Sequence, residues 1–154
     1  MAKGGIKINL KGFDKMLENI KAAGGDVDRA AREAIEESAQ IVEAELISAT
    51  KASGVPSSIT DGIKKKTSHS GDRYSAEVGW ELNEYDPKHP STGYKAIFLN
   101  FGTVRRQTAK GLDRGAIPKR TKDQQFIYRA KKAARPKVKK AQEKILKKAM
   151  EDLT

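Results

Sequence analysis

Few residues of this sequence have the type and spacing needed for chemistry. The two histidines, His69 and His89, lack the i, i+4 spacing of a helical zinc site, and the chain has no cysteine to add a thiolate ligand. The sequence also contains no Gly-x-x-x-x-Gly-Lys phosphate loop and no Gly-x-Ser-x-Gly nucleophile turn. These absences argue against a metal site, a nucleotide site and a serine hydrolase.

A metal-dependent nuclease would need grouped carboxylates, and the acidic residues do not supply them. Asp86-Pro87-Lys88 is the one carboxylate-x-lysine triplet, and no acidic partner is suitably placed near it. The glutamates of the segment 27–52 fall mostly off its apolar stripe, which indicates solvated side chains. We therefore expect no catalytic residues, no cofactor and no metal, and a protein that is not an enzyme.

The first third of the chain predicts one strand and two helices. Alternation over Ile6–Leu10 is typical of a short strand, and Phe13–Ala23 reads as a short helix. A long helix is expected from Val27 to about Ala52, with Asp26 as its N-cap, and Ser53–Ser58 as the following loop. The apolar stripe of this helix is Val27, Ala31, Ala34, Ile35, Ser38, Val42, Leu46 and Ala49.

A β-hairpin is the clearest pattern in the middle of the chain. Ile63–Ser68 forms one arm and Arg73–Leu82 the other, around a turn at Ser70-Gly71-Asp72. In the second arm Tyr74, Ala76, Val78, Trp80 and Leu82 alternate with polar residues or glycine, which predicts an antiparallel sheet with one solvated face.

The second half of the chain is less regular. The apolar block Gly93–Phe101 is compatible with a short helix or a buried strand. Residues 103–121 are rich in Gly, Arg, Lys and Thr without a clear period, so we expect a long basic loop. A helix over Asp123–Leu153, broken or bent near Pro136, should follow. Its predicted apolar stripe is Phe126, Ala130, Ala133, Ala134, Val138, Ala141, Ile145, Ala149 and Leu153.

Together these elements predict one α+β domain over residues 1–154. It consists of a small antiparallel β-sheet packed with a long N-terminal helix and a basic C-terminal helix. The length of 154 residues suits a single core. No segment approaches the length of a membrane span, so we expect no membrane partner.

The excess of positive over negative charge is confined to the last third of the chain. Residues 1–104 carry 14 Lys/Arg against 15 Asp/Glu, whereas residues 105–154 carry 17 against 5. This asymmetry is typical of a protein with an anionic partner, and a solvated lysine-rich helix is the simpler alternative. Aromatic residues are scarce among these charges, so DNA would be contacted through its phosphates without reading its sequence.

The order of short motifs resembles the tail-completion, or head–tail joining, proteins of long-tailed bacteriophages. The motifs are Ile6-Lys7-Ile8-Asn9-Leu10-Lys11-Gly12-Phe13 before a short helix, the alanine-rich helix and hairpin, the block Phe98-Leu99-Asn100-Phe101-Gly102-Thr103, and Ile117-Pro118 followed by Phe126-Ile127. The resemblance covers nearly the whole chain.

The resemblance implies a non-enzymatic virion protein, made in the cytoplasm of the bacterial host, that joins head to tail as a ring subunit at the neck. Its partners would be copies of itself, head-connector and tail-tube proteins, and genomic DNA through non-specific contacts. The alternative is a sequence-independent nucleic-acid-binding protein that uses the basic C-terminal third. Candidate assembly or DNA-facing residues are Phe98, Phe101, Gly102, Arg105, Arg106, Lys110, Arg114, Lys119, Arg120, Lys139, Lys140 and Lys144.

Overall fold

The computed structural model describes residues 5–82, 91–107 and 113–153, and it confirms the α+β class. A 3-10 turn, Lys122–Gln124, precedes the last helix. The elements in chain order are β1 Gly5–Asn9, α1 Asp14–Ala22, α2 Val27–Ala52, α3 Ser57–Asp61, β2 Lys64–Ser70, β3 Arg73–Gly79, α4 Thr92–Phe101, β4 Thr103–Gln107, β5 Asp113–Ile117 and α5 Phe126–Glu151.

The main sheet has three antiparallel strands in the order β1-β3-β2. The predicted alternation of β3 is confirmed, because Ala76 and Val78 are fully buried and Trp80 follows them into the core. The strand β2 is exposed along its whole length and starts with three lysines, Lys64–Lys66. Lysine-rich edges of this kind discourage unwanted strand pairing with other molecules.

Helix α2 forms the centre of the fold, since it packs on both β3 and α5. Its predicted bounds are confirmed, and Asp26 caps it by accepting a hydrogen bond from the backbone N–H of Arg29 at 3.0 Å. Small buried side chains such as Ala31, Ala34 and Ser38 let neighbouring backbones approach closely. The buried residues of the main sheet, of α2 and of the N-terminal half of α5 form one core.

The predicted apolar stripe of α5 is confirmed at Phe126, Ala130 and Ala134, which are buried, and at Val138, Ile145 and Ala149, which are half-buried and pack against the core. It is wrong at Ala133 and Leu153, which are exposed, and it misses Gln142 and Leu146, which are buried. Gln142 tolerates burial because its Nε2 donates hydrogen bonds to the Asn9 carbonyl at 3.1 Å and to Ser38 Oγ at 3.0 Å. The helix also continues through Pro136, which is exposed, so the predicted break is absent.

The structure resolves one alternative left open by the sequence and corrects two predicted loops. The block Gly93–Phe101 is helical, because Gly93, Ala96 and Asn100 turn to the core at helical spacing. The predicted loop Ser53–Ser58 ends early, since α3 begins at Ser57 and buries Ile59. The stretch expected as a loop at 103–121 contains the antiparallel strands β4 and β5.

Candidate assembly surface

The end of α4, the strand β5 and the start of α5 meet at one junction, which consists of Trp80, Asn100, Gly102, Arg120 and Phe126. The Trp80 indole N–H donates to the Ile59 carbonyl at 2.7 Å, and its ring meets Phe126 edge to face at 6.0 Å. Both rings are fully buried. The junction is therefore anchored in the core of the subunit.

Arg120 joins three segments of backbone at this junction. Its Nε donates to the Leu99 carbonyl at 2.9 Å, and Nη2 and Nη1 donate to the carbonyls of Ser53 at 3.4 Å and Gln124 at 3.5 Å. Ser53 is the C-cap of α2 and Leu99 lies in the last turn of α4. A cation is favoured at both places, because helix C-termini carry partial negative charge. Arg120 thus has a role inside the fold that the sequence did not reveal.

Asn100 provides the N-terminal cap of α5 from another helix. Its side chain is fully buried, and Oδ1 accepts a hydrogen bond from the backbone N–H of Ile127 at 3.1 Å. Gln125, the N-cap residue in sequence, makes no capping side-chain bond. The structure therefore assigns the asparagine of the Phe-Leu-Asn-Phe-Gly-Thr block to helix capping, which spacing alone could not predict.

Gly102 is required by the geometry of the same junction. Its φ is +88°, a left-handed conformation that favours glycine. A Cβ at this position would lie 2.7 Å from Lys119 Cα and 2.8 Å from the Pro118 carbonyl oxygen. Any side chain would push β5 and the following residues away from α4.

The outward side of α4 carries aromatic residues at helical spacing. Tyr94 and Phe98 are half-buried, with ring centroids 6.5 Å apart, and Phe101 is 45% exposed. Exposed aromatic side chains on a rigid helix are typical of protein–protein interfaces. The candidates Phe98 and Phe101 therefore lie together on a surface suited to assembly.

The hairpin candidates are only partly described by the structure. Arg105 and Arg106 lie on β4 and Arg114 on β5, but their side chains, and the whole of Lys110, lie outside the described residues. Lys119 is exposed beside Gly102. Lys119 thus faces solvent, whereas the neighbouring Arg120 is hydrogen-bonded within the protein.

The exposed face of α5 is covered by cations. All ten of its Lys and Arg side chains are exposed, among them the candidates Lys139, Lys140 and Lys144. Four of these lysines, Lys132, Lys140, Lys144 and Lys148, are spaced by four or eight residues and lie opposite the buried face of the helix. We call them the outer row. A spacing of four residues corresponds to about 6 Å along the helix axis.

Two lysines beside the outer row are bound to carboxylates. Lys137 pairs with Glu45, and Lys147 pairs with Glu143 at 2.9 Å. The Lys147–Glu143 hydrogen bond raises the pKa of Lys147 and lowers the pKa of Glu143. These pairs reduce the net charge on the flanks of α5, so its positive charge is concentrated away from α2 and α1.

A polar cluster fixes the hairpin turn to the start of α2. Asp28 accepts hydrogen bonds from Arg32 Nε at 2.8 Å and from the Tyr74 hydroxyl at 3.0 Å, and His69 stacks on Tyr74. Hydrogen bonding by Arg32 and then Tyr74 lowers the pKa of Asp28, while burial and the Asp28 bond raise the pKa of Tyr74.

Within the described residues no group of three or more His, Asp or Glu side chains could hold a metal ion.

These features define a small α+β protein with an aromatic surface on α4 and a basic surface on α5. A family model described as "Bacteriophage HK97-gp10, putative tail-component" matches residues 14–102. The match covers more than half of the chain, so the chain belongs to the HK97-gp10-like family of bacteriophage tail components. This agrees with the resemblance to tail-completion proteins.

The other comparisons add no relatives. No curated protein and no solved structure gives a significant match to the chain. None of the helices in the described ranges has the length and apolar character to cross a membrane. The phage structural role therefore rests on the family match.

Proposed function

We propose that the chain is a non-enzymatic subunit of a ring at the phage neck, where it joins the DNA-filled head to the tail. The observation that carries this proposal is the family match over residues 14–102, which ends at the C-cap glycine of α4. The matched region includes the whole of α4 with its aromatic surface, and also Asn100 and Gly102 of the junction. Its partners in this role are further copies of the chain and the adjoining head-connector and tail-tube proteins.

The junction supports this role through its rigidity. Asn100, Arg120 and Gly102 hold the end of α4 against α5 and β5 through hydrogen bonds and close backbone packing. An interface that is held in its bound geometry loses less conformational entropy on association. A ring subunit needs such fixed surfaces, because small errors in angle accumulate around a closed ring.

Deletion of the gene from its phage tests the proposal. We expect electron micrographs of the lysate to show DNA-filled heads and separate tails, and wild-type protein supplied in trans to restore joined particles. Infectious, joined particles in the absence of the protein would overturn the proposal. A variant of the exposed edge strand, Thr67→Ala, supplied in trans serves as a control for expression and should restore joining.

A second function is favoured by the outer row of α5. Exposed lysines at regular spacing can neutralise DNA phosphates, so the alternative is sequence-independent nucleic-acid binding by the isolated chain. In the neck role, we expect weak DNA binding by one subunit, strengthened when many copies meet one DNA molecule. Titration of the monomer with duplex DNA at near-physiological salt distinguishes the two functions, because nanomolar affinity would favour the alternative.

A further inference from the structure

The strands β4 and β5 form a two-stranded ribbon that is fixed to the rest of the protein at its base. There Gly102 lies against the backbone of residues 117–119, and the Ile117 N–H donates to Thr103 Oγ1 at 3.1 Å. Within the described ranges the two strands pack mainly on each other, and neither makes an extensive contact with a helix or with the main sheet. A two-stranded ribbon of this kind is only marginally stable in water without a partner.

The composition of the ribbon indicates the chemistry of its partner. Residues 103–117 carry 4 Lys/Arg against 1 Asp/Glu and contain no aromatic residue. Aromatic side chains are enriched at protein–protein interfaces, so their absence argues against a protein partner. An excess of positive charge on a small element instead favours an anionic partner. Among anionic partners, the phosphates of duplex DNA are the ones that the neck role brings close to the chain.

The cations of the ribbon differ in type from those of the outer row. The strands carry three arginines, Arg105, Arg106 and Arg114, whereas the outer row of α5 consists of lysines alone. A guanidinium group is planar and donates two parallel hydrogen bonds to a phosphate, whereas an ammonium group acts as a point charge. Arginines on a ribbon are therefore suited to fixed phosphate contacts, and the lysines of the outer row to long-range attraction.

The backbone of the ribbon also fits the shape of duplex DNA. Paired strands lie about 4.8 Å apart, and the major groove of B-DNA, about 12 Å wide, admits a two-stranded ribbon. The pairing of β4 with β5 shifts its register on both sides of Arg106, and Gly115, with a φ of +70°, lies at the second shift. Such bulges increase the twist of a ribbon. A strongly twisted ribbon follows the curved path of a groove better than a flat one.

We propose that the β4–β5 ribbon is a DNA-binding arm that lies in the major groove of duplex DNA, where its arginines bind the flanking phosphates. This inference rests on the proposed neck role, because that role places the chain next to the phage genome. Phosphate contacts fix the position of a protein on DNA without reading the base sequence. The outer row of α5 then contributes long-range attraction, and the ribbon holds the duplex.

Titration of the purified full chain with a duplex oligonucleotide, from low to near-physiological salt, tests the arm. Each phosphate contact contributes about −0.9 to the slope of log K against log salt concentration. Arg105→Gln, Arg106→Gln and Arg114→Gln combined should therefore reduce the magnitude of this slope by up to about 2.7. The matching single strand should bind the wild-type chain less tightly, because it has no groove, and equal affinity for both would contradict the groove contact.

The matched control removes the same charge from the outer row by combining Lys132→Gln, Lys140→Gln and Lys144→Gln. This control should reduce the slope by less than the ribbon variant does, since attraction without fixed contacts depends less on any one lysine. Equal reductions would show that net charge alone attracts DNA, and would overturn the inference. An unchanged affinity in the ribbon variant, or a wild-type chain that binds no duplex at low salt, would also overturn it.

Two further measurements separate the arm from the fold and from the neck role. The midpoint of thermal unfolding should be the same for the ribbon variant and wild type, because the ribbon packs mainly on itself. The ribbon variant is also supplied in trans to a phage that lacks the gene. Loss of head–tail joining with wild-type DNA affinity would assign the ribbon to a protein partner and overturn the inference, while the neck role would stand. Joined particles without any copy of the chain would instead contradict the neck role, and the DNA titration of the purified chain does not depend on that outcome.

Discussion

Two regions of the C-terminal third use cations in opposite ways. At the junction, the guanidinium of Arg120 donates to three backbone carbonyls and stands 6.0 Å from the centre of the Phe126 ring. On the outer face of α5, Lys140 and Lys144 extend into solvent. In the sequence, all of these residues contribute equally to the net positive charge. The difference shows that charge composition indicates a possible partner, whereas geometry decides which cations can reach it.

This comparison predicts large losses of stability at the junction and small ones on the outer face. Trp80→Ala should lower the free energy of unfolding by about 3–5 kcal/mol, because it empties a fully buried aromatic site and leaves the Ile59 carbonyl without its partner. Urea unfolding followed by circular dichroism measures the change.

The matched control for this prediction is the next residue, Glu81→Ala. Glu81 is exposed and pairs with Lys64 at 3.7 Å, so its removal should change stability by less than about 0.5 kcal/mol. Similar losses for Trp80→Ala and Glu81→Ala would show that the assignment of buried and exposed faces is wrong.

A comparison of adjacent cations gives the second prediction. Arg120→Ala should cost about 2–3 kcal/mol, since hydrogen bonds from a charged donor to three carbonyls are lost. Lys119→Ala, on the exposed side, should remain within about 0.5 kcal/mol of wild type. Equal urea midpoints for the two variants would contradict the internal role of Arg120.

The cap of α5 gives the third prediction. Asn100→Ala should cost about 1 kcal/mol, because the Ile127 N–H loses its acceptor. Gln125→Ala should cost less, since Gln125 makes no capping side-chain bond. Amide exchange at Ile127 checks the mechanism, and it should accelerate in Asn100→Ala alone.

The cluster at the start of α2 predicts a small pH effect. Arg32 and Tyr74 lower the pKa of Asp28 below its ordinary value of 3.8, so the ionised form stabilises the fold. This contribution is present above pH 3.8 and is lost as the pH falls through the lowered pKa of the folded state. Asp28→Asn should therefore lose less stability than wild type between pH 5 and pH 2.

The Tyr74→Phe variant tests whether the hydrogen bond is responsible. It removes the hydroxyl that donates to Asp28 while keeping the ring that stacks on His69. Its stability should vary with acid pH less than that of wild type, though more than that of Asp28→Asn, because the Arg32 bond remains. Identical acid unfolding curves for all three proteins would exclude the Asp28 contribution.

The smallest effect on stability is expected on the outer face. Lys139→Glu, Lys140→Glu and Lys144→Glu together should leave the unfolding midpoint nearly unchanged, because all three side chains are exposed. The same triple variant should fail to restore joined, DNA-retaining particles to a phage that lacks the gene. Full complementation would show that these lysines serve only as a solvated surface.

The regular elements could be predicted from the sequence where one periodicity dominated. The alternation from Tyr74 to Trp80 and the stripe of α2 each mark a single buried face, and both predictions are confirmed. The strand β4 was not predicted, because register shifts between Thr103 and Arg106 and between Arg106 and Gln107 disrupt the two-residue alternation of a strand. In α5, the burial of Gln142 depends on partners at Asn9 and Ser38 that are distant in sequence.

The candidate surface was predictable only in part. The predicted exposure of Lys139, Lys140 and Lys144 on α5 is confirmed, whereas the exposure of Phe101 was not predicted from its apolar block. The internal bonds of Arg120 and Asn100 involve residues on other elements, so no local pattern could distinguish them from their neighbours. The roles of Arg120 and Asn100 depend on tertiary contacts, and residue spacing in a single sequence does not predict such contacts.

Reconstruction of the phage neck by electron cryo-microscopy tests the central claim most directly. Helices α2 and α5 each have 26 residues and are therefore about 39 Å long, which makes the subunit recognisable in density. We predict a ring between head and tail whose repeating density fits these two helices and the three-stranded sheet. A neck filled entirely by other proteins, in virions that lack this chain by mass spectrometry, would contradict the claim.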